Sequence, residues 1–182
     1  MDAEYRLPEE FFTDRFLVRR ILPSDADAIF AGWATDQDVT KYLSWCPHTD
    51  LSQTREAAER SNREWDFGST FPAVICRRDA PSDLVGRFDA RLVGSRVSYG
   101  WLIRKDRWGQ GVASEVVQWA VAHALSHPAI YRTEAACDVM NMASARVMEK
   151  AGMVQEAVLR RYLLLPNLSK EPRDAFLYSK VR

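Results

Sequence analysis

Gly109, Gln110 and Gly111 stand between an apolar run at Tyr99–Ile103 and the start of a helix, an arrangement suited to holding a phosphate group. Glycines let the backbone approach a bound anion closely, and the unpaired N–H groups of the first helical turn point at it. The helix dipole adds partial positive charge at the same place. A Rossmann fingerprint would need a third glycine where Ser114 stands. Glu134 lies near the spacing of a ribose-binding carboxylate, yet too little chain follows it for the rest of such a sheet. A P-loop would need Gly-Lys-Ser/Thr, which the chain lacks. The glycine pair alone also suits an ordinary turn, so the segment points to a phosphorylated cofactor without naming it.

Other residue types offer less. Cys46, Cys76 and Cys137 are odd in number and widely spaced, which gives neither a disulfide framework nor a zinc pattern. His48, His123 and His127 have no ligand spacing with carboxylates or thiols, so no metal is expected. With 25 basic and 25 acidic residues the formal net charge is zero, so no general pull toward nucleic acid or a membrane surface is expected. Arg19-Arg20, Arg77-Arg78 and Arg160-Arg161 read as solvated strand ends. The acidic start, Met1–Phe12, lacks a signal-peptide pattern, and no apolar run approaches the ~20 residues of a membrane span. A reduced, cytoplasmic protein is the expectation.

The elements that must carry these residues follow from periodicity. The chain has 182 residues, 47% of them hydrophobic, enough for one domain with a real core spanning 1–182. Arg15–Ile21 reads as a strand broken by Pro23. Ser24 followed by Asp27 resembles a capped helix start, and Asp25–Trp33 continues at helical spacing. Asp36–Leu43 reads as a short helix, Ser44–Asp50 as a loop and Leu51–Trp65 as a longer polar helix. Strands follow at Phe71–Arg77, Leu84–Leu92 and Val97–Ile103, with turns at Asp79–Asp83 and Gly94-Ser95. Ser114–Ser126 is a helix with Val117, Ala120, Val121 and Ala124 on one face. A strand at Tyr131–Val139 and a helix at Ala143–Ala151 come next, with Asn141 near its start and Gly152 as its left-handed end. An apolar run at Ala157–Leu165 and a strand at Asp174–Val181 close the chain. The order implies an α/β (α+β) fold with a mixed sheet and helices on both faces.

With these pieces in place the chain resembles the GNAT superfamily of acetyl-coenzyme A-dependent N-acyltransferases. The family signature Arg/Gln-x-x-Gly-x-Gly/Ala is met here by Gly111-Val112-Ala113, with Trp108 in place of the Arg/Gln. Trp108-Gly-Gln-Gly-x-Ala-Ser-Glu115 is similar to the RimJ/RimL-like branch of ribosomal-protein N-terminal acetyltransferases. So are Arg132-Thr-Glu-Ala135, Asn141-Met-Ala-Ser-Ala-Arg-Val-Met-Glu-Lys-Ala-Gly152 and Arg173-Asp-Ala175 with Tyr178. The opening Asp14–Arg19, Ser24-Asp25 and the Ser44-Trp45…Pro47-His48 loop fit the same branch.

The resemblance implies a central, mostly antiparallel twisted sheet, flanked by helices and splayed between its fourth and fifth strands. It implies acetyl-coenzyme A as co-substrate, no metal, and a pyrophosphate held on the N–H groups of Gln110, Gly111, Val112, Ala113 and Ser114. The Ser114 hydroxyl would add a donor, with Arg107 and Arg104 near in sequence and Arg146 on the following helix. Backbone of Leu102 and Ile103 would face the pantetheine, and an N–H near Trp101 or Leu102 would polarise the thioester carbonyl. Asn141 and Ser144 match positions near the cofactor, where Ser144 would donate to the coenzyme A sulfur. Related sequences often read Ala-Glu-Ile-Gly-Tyr before the glycine turn, with the glutamate as base. Here Ser98 replaces it and can only hold a water in a proton wire. Asp89 and Glu134 are the substitutes, or else salt-bridge residues.

A missing base favours an amine of low pKa. A lysine amine is neutral about one part in two thousand at pH 7, an α-amine about one part in ten. The expected acceptor is a primary amine, a protein N-terminus or a small molecule, attacking directly in a ternary complex. Asp25–Trp65 and Pro166–Arg173 would set acceptor specificity, with Trp33, Trp45, His48 and Trp65 as candidates to line the cleft. A non-catalytic acyl-coenzyme A sensor or subunit is the alternative reading. Arg160–Leu165 suits either a dimerisation arm or a core strand, so monomer and homodimer both stay open.

Overall fold

The computed structural model describes residues 5–182; the first four residues of the acidic N-terminal stretch and of the expected domain lie outside them. Eight strands form one sheet: β1 (Glu10–Phe12), β2 (Phe16–Arg20), β3 (Thr70–Arg77), β4 (Ala80–Val93), β5 (Arg96–Ile103), β6 (Arg132–Asp138), β7 (Val154–Leu163) and β8 (Arg173–Val181). Their order is β1-β2-β3-β4-β5-β6-β8-β7, and every neighbouring pair is antiparallel except β5 with β6. The short β1 shifts the count by one, so the strands expected as fourth and fifth are β5 and β6. These two pair only at Arg96–Ser98 with Arg132–Glu134, then part. The sheet is therefore splayed where the sequence places Tyr99–Ile103.

Strand alternation sorts the core into two layers. Phe71, Ala73 and Ile75 of β3 face one cluster, with Val116, Val117, Ala120, Val121 and Ala124 of α4 (Val112–Ser126). Val74 and Cys76 face the other, with Ala26 and Ile29 of α1 (Ala26–Ile29), Trp33, Ala34, Val39 of α2 (Gln37–Thr40) and Ala58 of α3 (Leu51–Phe67). Both faces of β3 are thus buried, which its unbroken apolar run requires. Each fully buried valine in α4 contributes roughly 1.5–3 kcal/mol over an exposed one. The last helix, α5 (Met142–Lys150), lies beside α4.

Several local readings change. The helix start belongs to Asp25 rather than Ser24 and Asp27. The Asp25 carboxylate accepts the Leu22 N–H at 2.8 Å and takes both guanidinium nitrogens of Arg19 at 2.8 Å. Arg19 is consequently a pinned strut, and Arg20 is bonded to Asn62 and Asp66, so neither is a solvated strand end. The expected helix over Asp25–Trp33 is broken into a 3₁₀ turn (Pro23–Asp25), α1 and a π turn (Phe30–Ala34). β4 begins at Ala80, inside the expected Asp79–Asp83 turn, because an Arg77–Asp79 ion pair at 2.5 Å closes the chain earlier. β7 is neither buried core nor a free arm but an edge strand, with Val154, Val158 and Tyr162 exposed.

Candidate functional site

The glycine turn is built as its composition demands. Gly109 and Gly111 have φ of +74° and +77°, values that cost a side-chain-bearing residue dearly. Gly111 caps α4, leaving the N–H groups of Val112, Ala113 and Ser114 without intrahelical acceptors. A brace from the residue just before β2 fixes the turn. Arg15 donates its backbone N–H and its Nε to the Glu115 carboxylate, at 2.9 and 2.7 Å, and its guanidinium to the Gln110 carbonyl at 3.0 Å. On the far side of the splay, Asp138 is fully buried and paired with Arg173 at 2.5 Å. It also accepts the Met140 N–H, which sets the bend into α5. Burial pushes the Asp138 carboxyl up, but Arg173 and that N–H outweigh it and hold it below the usual range. Asn141 then caps α5, its side-chain oxygen accepting from the Ser144 N–H at 3.2 Å.

Between these two helix starts lies a cleft of about 740 Å³. Its walls include Trp101, Leu102, Ile103 and Arg107, the turn from Gly111 to Ser114, and Asn141, Ser144 and Arg146. Neither the Asn141 amide NH₂ nor the Ser144 hydroxyl has a partner among the described residues. Cys137 also lines the cleft, but burial pushes its thiol up to about 11, so it is no ready nucleophile.

Pairing parity decides which backbone groups of β5 look into the cleft. The β4–β5 hairpin closes on Gly94-Ser95, with Gly94 at φ +60°, and pairs Val93 with Arg96. A two-residue turn of this kind is closed by a doubly bonded pair, and bonding then alternates. Even-numbered residues of β5 bond to β4, and odd-numbered ones face β6. The Arg104 N–H donating to Val85 and the Leu102 carbonyl lying against Gly86 agree with this. Past Ser98 the odd-numbered groups face the splay instead of β6. The N–H and C=O of Trp101 and the N–H of Ile103 therefore border the cleft, while the Ile103 carbonyl accepts from Trp108 Nε1 at 2.7 Å. Leu102 borders both cavities, its side chain packs on the face of α1 and α3, and its backbone belongs to the β4 ladder.

A second cavity of about 410 Å³ lies on the opposite face of β4 and β5, under α1–α3. It meets the first along Tyr99, Gly100, Trp101 and Leu102, with Leu43 and Ser44 completing the shared rim. Arg87, Asp89 and Arg91 of β4 stand across from Leu102, Gly100 and Ser98, so all six belong to its floor. A Cβ added to Gly100 would meet no atom within 4 Å. The wall carries Trp33, Trp45, His48, Arg60 and Glu64. His48 Nδ1 is 2.7 Å from the Thr54 hydroxyl, and its ring lies 5.0 Å from that of Trp45. Burial, then the charge of Arg60, lowers the His48 pKa below 6.5 and keeps the imidazole neutral at pH 7.

The profile of the Acetyltransferase (GNAT) domain matches residues 15–154. The chain belongs to this family. It is 31% identical over 179 residues, 93% of this chain and 95% of the other, to the uncharacterized N-acetyltransferase YoaA of Bacillus subtilis. A GNAT-family acetyltransferase from Bacillus anthracis shares the fold at TM-score 0.81 and 23% identity, covering 94% of this chain and 98% of that one. A ribosomal α-N-protein acetyltransferase, RimL, in complex with coenzyme A does so at TM-score 0.80 and 17% identity, covering 97% and 98%. The likeness to the RimJ/RimL branch thus holds at the level of the fold.

Against the GNAT expectation the site residues divide. Ser144, Asn141, Arg146, Arg107 and Gly111–Ser114 share one cleft, whereas Ser98 lines the opposite cavity. Gln110 stands outside the cleft, its side chain donating to the Asp106 carbonyl at 2.9 Å. Arg104 is held by Asp83, Asp106 and the Leu84 carbonyl. Arg107 is paired with Asp83 at 2.9 Å, although it still borders the cleft. Both substitutes for the missing glutamate are engaged: Asp89 holds Arg87 at 2.9 Å, and Glu134 holds Arg132 at 2.7 Å. Trp65 is core, packed on Phe71. Sequence reasoning passed over Arg60, Glu64, Arg91 and Gly100. The alternation Arg87-Phe-Asp89-Ala-Arg91 was the available signal, since it puts three charged side chains on one face of a strand.

Proposed function

We propose that this GNAT enzyme transfers an acetyl group from acetyl-coenzyme A to a primary amine by direct attack in a ternary complex. The observation that carries the reading is the meeting of two cavities along Tyr99–Leu102, one under a phosphate-ready helix start and one on the opposite face. The cofactor pyrophosphate would lie on the N–H groups of Val112–Ser114, with Arg146 adding charge. The pantetheine would pair with the odd-numbered backbone groups of β5, placing the thioester carbonyl on the Trp101 N–H. The Ser144 hydroxyl, unpartnered in the same cleft, would protonate the departing thiolate. The amine would enter the second cavity over Gly100.

His48 is the group we assign to take the ammonium proton. It lines the acceptor cavity, has no ion pair among the described residues, and is neutral where the paired Asp89 is not free to act. With Nδ1–H donated to Thr54, Nε2 would be the accepting atom. The acceptor would be a protein N-terminus or a small-molecule amine. Thiol release from acetyl-coenzyme A across N-terminal peptides, amino acids, polyamines and amine antibiotics tests this, with coenzyme A affinity measured in parallel. Turnover with one class supports the transferase reading. Tight cofactor binding with no turnover on any amine overturns it in favour of an acyl-coenzyme A sensor.

A further inference from the structure

The arginines of this chain are almost all committed. Arg15, Arg19, Arg20, Arg87, Arg104, Arg107, Arg132 and Arg173 each hold a carboxylate within 3.0 Å. Among the described residues, Arg60, Arg91, Arg146 and Arg160 have neither a side-chain hydrogen bond nor an ion pair. Arg160 lies on the exposed edge strand β7, and Arg146 lines the cofactor cleft. Of the other two, Arg60 on α3 lines the wall of the acceptor cavity and Arg91 on β4 its floor.

The cavity's charges do not cancel. Arg60, Arg87 and Arg91 face Glu64 and Asp89, three positive against two negative, with His48 neutral. Arg87 and Asp89 satisfy each other through three contacts of 2.9–3.0 Å. Glu64 sits in the field of Arg87. What is left over is one net positive charge, carried by two exposed guanidiniums, Arg60 and Arg91, against the single carboxylate of Glu64, and the charge of Arg60 reaches inward as far as His48. The inner part of the cavity is built differently, from Trp33, Trp45, Ile29 and the bare backbone of Gly100.

We infer that the acceptor is an amine carrying an anionic group, a carboxylate or a phosphate, which Arg60 and Arg91 bind while the amine reaches Gly100. The inference rests on the reading of this cavity as the acceptor site. Planar guanidiniums suit both oxyanions, since each presents paired N–H donors to two oxygens. A polycationic acceptor would meet repulsion at the same place.

The test compares acceptors that differ only in the anion: leucine with leucinamide, and ethanolamine phosphate with ethanolamine. For each pair the ratio of kcat/KM is measured in the wild type and in Arg60→Gln/Arg91→Gln at saturating acetyl-coenzyme A. Amine basicity differs within a pair but cancels when the wild-type ratio is divided by the variant ratio. Removal of two charge-assisted contacts should change that quotient by about 100-fold, roughly tenfold for each arginine. The pair that carries the effect tells carboxylate from phosphate. A quotient under threefold for both pairs overturns the inference.

Binding gives a readout independent of turnover. With coenzyme A present, N-acetylleucine should bind the wild type at least tenfold more tightly than N-acetylleucinamide, and the double variant should lose that preference. Equal affinities overturn the inference. If coenzyme A binds and no amine is turned over, the transferase reading falls, and the binding comparison still decides whether this cavity recognises anions.

Discussion

Gly100 is where the proposed reaction can be blocked with the least disturbance to the fold. Its backbone angles are ordinary for a strand, it lies opposite Asp89, and an added Cβ meets nothing within 4 Å. Gly100→Ala should therefore fold at least as stably as the wild type, because alanine costs less entropy than glycine in a strand, by about 0.5–1 kcal/mol. For a chain of this size that is a rise of up to roughly 2–4 °C in Tm. Gly100→Val adds three carbons, each comparable in volume to a water at ~30 Å³. Their sum is roughly a fifth of the 410 Å³ cavity, placed where it meets the cofactor cleft. An acceptor displaced by about 1 Å loses on the order of 100-fold in rate. Steady-state kinetics with acetyl-coenzyme A saturating should show that loss in acceptor kcat/KM. Calorimetry should find coenzyme A affinity within twofold of the wild type. If Gly100→Val keeps acceptor kcat/KM within threefold, the amine does not pass over Gly100. If coenzyme A affinity collapses instead, the division between the two faces of β5 is wrong.

Gly86→Ala should do the opposite, because its Cβ would collide with the Leu102 carbonyl oxygen and stand 2.9 Å from Ile103 Cδ1. Backbone must move, so thermal melts should show a loss of about 1–3 kcal/mol, and coenzyme A affinity should fall with it. Gly111→Ala forces alanine to φ +77°, at a cost of about 1–2 kcal/mol, and should weaken coenzyme A binding more than acceptor recognition. His48→Gln should lower kcat about 10²–10⁴-fold and abolish the acidic limb of the pH profile. That limb lies below pH 6.5, since the depressed pKa leaves the imidazole unprotonated above it; any rise above pH 7 belongs to the acceptor amine and should survive in the variant. Glu64→Gln should leave kcat within threefold, and a larger fall would move the proton-accepting role from His48 to Glu64.

The parts of this chain that a sequence reveals are those whose partners lie nearby along it. The glycine turn, the Asn141 cap and the Gly94-Ser95 hairpin are each settled within a few residues, and all three stand where the pattern puts them. The helix start at Asp25 was misplaced because its carboxylate is claimed by Arg19, six residues back on a strand, and local capping rules are blind to that. The acceptor cavity was less legible still. Arg60 and Glu64 sit on a helix that reads as merely polar, and only the packing of α3 against β3 and α1 brings that face to the rim of the cavity over β4 and β5. The loss of the usual glutamate was visible in Ser98, but the pairing of Asp89 with Arg87 depends on side-chain geometry.

β5 carries both halves of the proposed chemistry because a strand has two independent directions to offer. Its side chains alternate between faces, so Ser98, Gly100 and Leu102 look into the acceptor cavity. Its hydrogen-bonding groups alternate within the sheet plane, so Trp101 and Ile103 offer theirs to the splay. On the proposed reading, a thioester held at the Trp101 N–H and an amine entering over Gly100 are one residue apart, about 3.3 Å along the strand. No bulky side chain stands between them, since the residue at that point has none. A side chain at position 100 would close the passage without touching the cofactor's hydrogen bonds. A proline at position 101 would remove the N–H donor while leaving Gly100 open. Those two lesions should therefore separate: the first raising acceptor KM and lowering kcat/KM, the second lowering kcat more than it raises acceptor KM. A single pattern for both would mean that β5 does not divide the site in this way.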